Sequence, residues 1–128
     1  GTTLSIKNLI VNGAGDKGLS VGENSTVEIQ RVSINRASTA VASKDSSILT
    51  INDGHLSNCT IGLCAYQKKP EFGPSTIRAN NVSIVKTELP TLLESKTLIT
   101  MDNEPVEILP RKKQKLIFNS LKNGQQLN

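Results

Sequence analysis

The chain has 128 residues and a formal charge of +4 at pH 7, which bounds it to one domain. It holds 34 Val, Ile and Leu residues but only two Phe, one Tyr and no Trp, so any core must be built of aliphatic layers. Residues 1–108 carry 10 Lys or Arg against 11 Asp or Glu, whereas residues 109–128 carry five basic residues and no acid. The body therefore lacks the basic field that nucleic acid requires, and no apolar run approaches the roughly 18 residues of a membrane span.

In chain order, the first apolar positions are Leu4 and Ile6, then Leu9 and Val11. The same two alternating pairs return as Val27 and Ile29 with Val32 and Ile34. They return again as Leu49 and Ile51 with Leu56, where Gly54 holds the remaining slot, and then as Ile77 and Ala79 with Val82 and Ile84. Alternation with period 2 predicts strands, and the two residues between pairs leave no room for a helix. Each block also has a second half. Gly18-Leu19-Ser20-Val21-Gly22-Glu23-Asn24-Ser25 aligns with Ala40-Val41-Ala42-Ser43-Lys44-Asp45-Ser46-Ser47, and Gly62-Leu63-Cys64-Ala65-Tyr66 starts the same way. The third block is longer because extra residues enter at 67–74.

A repeat of about 22 residues, with three short strands and polar Asn, Ser and Gly corners, describes one coil of a parallel β-solenoid. Successive coils stack about 4.8 Å apart. Leu4, Val27, Leu49 and Ile77 then form one interior stack, and Ile6, Ile29, Ile51 and Ala79 another. Stiff β-branched side chains suit such stacking. An antiparallel sandwich explains the alternation but not the repeated offset.

The coils at 15–23, 41–47 and 65–73 resemble those of the right-handed parallel β-helix repeat family, within the pectin-lyase-like superfamily, and in particular the C-terminal coils of bacterial β-helix repeat proteins. The resemblance covers about residues 4–108. It implies an all-β, single-stranded right-handed parallel β-helix of about four to five coils, and by analogy a secreted or cell-surface carbohydrate setting. Lyases of that superfamily combine acidic clusters and calcium with a basic residue. Glu23 and Asp45, one coil apart in one slot, are the weak metal pair this implies, with Lys44 or Lys17 as a base.

After a last partial coil at 92–108, the basic segment 109–128 is predicted to cap the solenoid. Pro110 and Gly124 serve as start and stop signals of a helix laid over the last coil, with Ile117 and Leu121 spaced i, i+4; a strand at 115–121 is the alternative. The residues Gly1-Thr2-Thr3 provide no cap at the other end. Either upstream coils or a second copy of the chain is expected to meet it.

His55, the single histidine, matches Ser33 in register and is expected to face outward. Cys59 and Cys64 are read as free thiols, Cys64 pointing outward and Cys59 at a corner in the slot of Ala37. The insertion 67–74 is the sharpest candidate site, since long loops on rigid scaffolds concentrate function. Tyr66 and Phe72 would stack on sugar rings, and Lys68, Lys69 and Glu71 would grip an acidic glycan; the competing reading makes both aromatics anchors that pin the loop. The basic run from Arg111 to Lys115 is read as a solvated face. The resulting expectation is a non-catalytic module, structural or carbohydrate-contacting, at the C-terminal part of a larger surface or secreted protein, with no cofactor. The alternatives are a fragment of a polysaccharide lyase or hydrolase whose active coils lie upstream, and a small self-associating β-helix protein.

Overall fold

The structure is a computed structural model that describes residues 1–108 and 111–122. Its elements in chain order are β1 (Thr3–Asn12), β2 (Lys17–Val21), β3 (Thr26–Asn35), β4 (Thr39–Lys44), β5 (Ile48–Ile51), β6 (Gly54–Ser57), β7 (Ile61–Tyr66), β8 (Thr76–Ala79), β9 (Val82–Val85), β10 (Leu89–Leu93), β11 (Leu98–Met101), β12 (Glu104–Pro105) and α1 (Arg111–Lys122). They wind into a parallel β-solenoid of about four turns with a short C-terminal helix.

Two sheets form the walls. The first joins β1 to β3, which pairs with both β5 and β6; these continue through β8 and β9, with β11 beyond β8. The second runs β2, β4, β7, β10. Every pairing is parallel except β11 with β12. The register is the one the repeat predicts: Leu4 lies against Val27, Val27 against Leu49 and Leu49 against Ile77, and Ile6, Ile29, Ile51 and Ala79 follow in parallel. In coils one and two, the two apolar pairs share a single ten-residue strand. In coils three and four, the chain bends at Asn52-Asp53 and Asn80-Asn81, where short polar side chains favour turn conformations, and the strand divides.

The interior is as aliphatic as composition requires. Ile29, Ile34, Leu49, Ile51, Leu56, Leu63 and Ile77 are fully buried, each worth about 1.5–3 kcal/mol relative to exposure. In the second sheet the ladder skips Gly18, Ala40, Gly62 and Pro90, one in each coil. Ala40 and its neighbour Val41 both belong to the main core, so the pairing is interrupted at the same position in every coil and two consecutive side chains turn inward there. Small residues are needed there: a Cβ at Gly62 would lie 2.5 Å from the Pro90 carbonyl oxygen.

Corners are held by polar columns. Asn35 Nδ2 donates to Asn12 Oδ1 at 3.2 Å, and Ser57 Oγ donates to Asn35 Oδ1 at 3.1 Å. Buried hydroxyls form a second column: Ser47 Oγ donates to the Val21 carbonyl at 3.2 Å, Ser75 Oγ to the Ser43 carbonyl at 2.6 Å, and Thr97 Oγ1 to the Ala65 carbonyl at 3.2 Å. Each satisfies a backbone group that would be costly to bury unpaired.

The helix forms where a cap was predicted, but it does not lie over the last coil. Phe118 and Ile117 pack on the outer face of the second sheet, against Ala42, Ile61, Cys64 and Leu92. Those residues are apolar where an outer wall is ordinarily polar, and the helix covers them. Pro110 and Gly124 lie outside the described residues, as does the side chain of Leu121.

Candidate functional site

The insertion 67–74 leaves the solenoid between Tyr66, paired with Lys44, and Thr76, paired with Ile48. The preceding coil holds it in place. Asp45 and Ser46 adopt left-handed φ values of 53° and 63°, which turns both side chains toward the loop. Asp45 Oδ1 accepts the backbone N–H groups of Lys68 at 2.7 Å and Lys69 at 2.8 Å. Ser46 N donates to the Gly73 carbonyl at 2.8 Å, and Gly73 N donates to Ser46 Oγ at 2.5 Å. Gln67 Nε2 donates to the Phe72 carbonyl, and to that of Pro70 at 3.3 Å. The loop is thus a tied structure.

Tyr66 is not a sugar platform. It is 2% exposed, and its ring lies 5.5 Å from that of Phe118, so the helix occupies the face a sugar would need. Burial pushes its phenol, and the Cys64 thiol beside it, well above their ordinary values. Cys64 points away from the solenoid interior as expected, yet it is fully buried because α1 covers it. Phe72 is half-buried, while Lys68, Lys69 and Glu71 are exposed on the loop.

Glu23 and Asp45 occupy equivalent corners, but their carboxylates take separate partners. Asp45 is buried against the loop. Glu23 is exposed, and Lys69 Nζ donates to it. That bond lowers the Glu23 carboxyl and raises the Lys69 ammonium; a pair so exposed contributes little stability. Burial, followed by the nearby charges of Lys68 and Lys17, lowers the Lys44 ammonium. Among the described residues no group of three or more His, Cys, Asp or Glu side chains is placed to hold a metal ion. Cys59 lies inside the main core beside Ala37, as the register implies, with its Sγ donating to the Ser57 carbonyl at 3.3 Å.

A groove of about 580 Å³ follows the bend in the first sheet, lined by Arg31, Ser33, Asp53, His55, Asn81 and Ser83 among others. His55 is exposed and stacked between Ser33 and Ser83. Its Nδ1 shares a 2.7 Å hydrogen bond with Ser83 Oγ. The sequence reading missed that pairing, although the 28-residue offset of the third coil already placed Ser83 in the slot after His55. Asn81 engages both nearby acids: its Nδ2 donates to Asp53 Oδ1, and its backbone N–H donates to Asp102 Oδ1 at 2.8 Å. No carboxylate among the described residues orients the imidazole, so the serine–histidine pair lacks the third member that a nucleophilic triad uses.

The two ends of the solenoid differ. At the far end, Met101-Asp102-Asn103-Glu104 makes a tight reversal with φ of 50° and 67° at its centre, the geometry of a two-residue hairpin turn. It folds β12 back on β11, and Val106 N donates to the Ile99 carbonyl at 3.0 Å. Met101 and Val106 pack against the core. At the near end, Leu4 is 48% exposed, whereas its stack mates Val27 and Leu49 are 6% and 0% exposed. The ten-residue β1 pairs on one side only. Comparison with family models, curated proteins and solved structures finds no match for this chain.

Proposed function

We propose that the chain is a non-catalytic architectural module: the closing segment of a longer β-solenoid, receiving a further parallel coil on its β1 side. The observation that carries this reading is the contrast between ends. One aliphatic stack terminates at a half-exposed Leu4 beside an unpaired strand edge, while β11 is turned back and covered by β12. Unpaired edges invite strand addition, and proteins that need to avoid it blunt them. At the far end β11 is blunted in that way while β9 and β10 keep open edges; at the near end neither β1 nor β2 is covered. Asp45 is taken up by the loop backbone and Glu23 by Lys69, which supports the architectural reading over a polysaccharide-cleaving one.

The test is to fuse a copy of residues 26–47 ahead of Thr3. In a solenoid each coil adds a nearest-neighbour interface. The melting temperature is expected to rise by several degrees, since about 1 kcal/mol shifts a domain of this size by roughly 4 °C, and the β1 amides to exchange more slowly. An unchanged melt with unchanged exchange rejects the reading. A dimer seen by light scattering and abolished by Leu4→Glu assigns the end to a second copy instead.

A further inference from the structure

The basic C-terminal segment does not stay apart from the coils. Docking of α1 brings it beside the insertion 67–74 and the corner between β10 and β11. Two adjoining clefts, of about 390 and 320 Å³, open along this seam. Lys68 from the loop, Lys96 from the corner, and Lys115 and Lys122 from the helix line them. The clefts share one acid, Glu94, which is already engaged: Lys122 Nζ donates to its Oε2 at 2.6 Å, and Gln67 N to its Oε1 at 3.0 Å. Lys68, Lys96 and Lys115 are exposed and form no ion pair among the described residues. Three elements far apart in the chain therefore present uncompensated ammonium groups around concave ground.

We propose that this seam binds an acidic polysaccharide through its sulfate or carboxylate groups, independently of whether further coils stack on β1. Three observations select that partner. The clefts are concave, so they accept discrete anionic groups more readily than a flat bilayer. Among the described side chains, the exposed face of α1 offers one large apolar group, Leu116, among Lys112, Lys113 and Lys115, which is too little to enter a membrane interface. Tyr66 and Phe118 are buried against each other, so the seam lacks the exposed aromatic platforms that single-stranded nucleic acid stacks on.

The test titrates the chain with dextran sulfate, with uncharged dextran as reference. Binding is expected to weaken with salt through counterion release. The double variant Lys68→Ala with Lys96→Asn is expected to bind about tenfold more weakly and to lower the salt slope by about one per lysine removed. Asn is chosen because Lys96 has φ of 73°, which Asn tolerates. Lys7→Ala with Lys86→Asn, Asn again because Lys86 has φ of 49°, has the same net charge but lines neither cleft, and it is expected to change affinity less than about twofold. Should the first variant melt early, Lys115→Ala on the exposed helix face carries the same expectation. Equal losses in both double variants, no binding of dextran sulfate, or tighter binding to phosphatidylserine vesicles or to an oligonucleotide would each overturn the proposal.

Discussion

The Tyr66 and Phe118 rings meet with centroids 5.5 Å apart and planes tilted by 39°. This contact joins the third coil to the C-terminal helix. Lys122 lies 5.9 Å from the Phe118 centroid while it also bonds Glu94, so one small cluster fixes the helix on the wall. Phe118→Ala is expected to cost about 3 kcal/mol or more of docking stability, the usual scale for a buried Phe. Thiol labelling reads it: Cys64, beneath the helix, becomes reactive, whereas Cys59, inside the solenoid, stays protected.

The same contact sets an alkaline limit. Burial holds the Cys64 and Tyr66 protons above their ordinary values of 9.0 and 10.0. Between those values and the folded ones, the unfolded chain has lost protons that the native chain keeps. Their contribution to stability is therefore complete below about pH 9 and is lost as pH rises further. The melting temperature should fall progressively above that point. Because the chain has one tyrosine, tyrosinate absorbance should appear late in the intact protein and near pH 10 once Phe118→Ala frees the helix.

Asp45 has one satisfied oxygen and one buried oxygen, Oδ2, without a partner among the described residues. Asp45→Asn keeps an acceptor for the loop and removes the buried charge, so its melt is expected to match or exceed that of the parent. Asp45→Ala loses two charge-assisted hydrogen bonds and is expected to cost roughly 1–3 kcal/mol. Limited trypsin digestion after Lys68 should accelerate for the alanine variant alone, the Lys69–Pro70 bond being resistant.

Two glycines separate close packing from open space. A Cβ on Gly62 meets the Pro90 carbonyl oxygen at 2.5 Å and Ile84 Cγ2 at 3.0 Å, whereas one on Gly15 meets nothing within 4 Å. Gly62→Ala is expected to destabilise by about 1–3 kcal/mol, as overpacking does. Gly15→Ala should stay within about 0.5 kcal/mol of the parent. Urea midpoints of the two variants settle the difference.

Ile29 lies in the middle of an interior stack and is fully buried. Ile29→Asp places an unpaired carboxylate there, which costs several kcal/mol, and the chain is expected to lose its cooperative transition. His55→Ala removes an exposed ring and its bond to Ser83 and should shift stability by only about 0.5 kcal/mol. Circular dichroism melts of both variants check the register, since the reverse outcome would place His55 inside.

The sequence by itself determined the coil. Period-2 alternation at a fixed offset specifies which side chains stack, because a slip of one residue would turn Val27, Leu49 and Ile77 to the outside together. It also located the insertion at 67–74, which follows from counting along the repeat. The groove partner Ser83 was within reach of that same arithmetic.

Only the tertiary structure decided which wall the helix covers. Local spacing shows that Ile117 and Phe118 are apolar, but not what they bury. The answer came from Ala42, Cys64 and Leu92, outward positions on three different coils that form one apolar strip only after stacking. That docking turned Tyr66 from an exposed candidate into a buried anchor. It also carried the lysines of the tail to those of the loop, because an amphipathic helix is stabilised by packing its apolar face on apolar surface that the fold assembles.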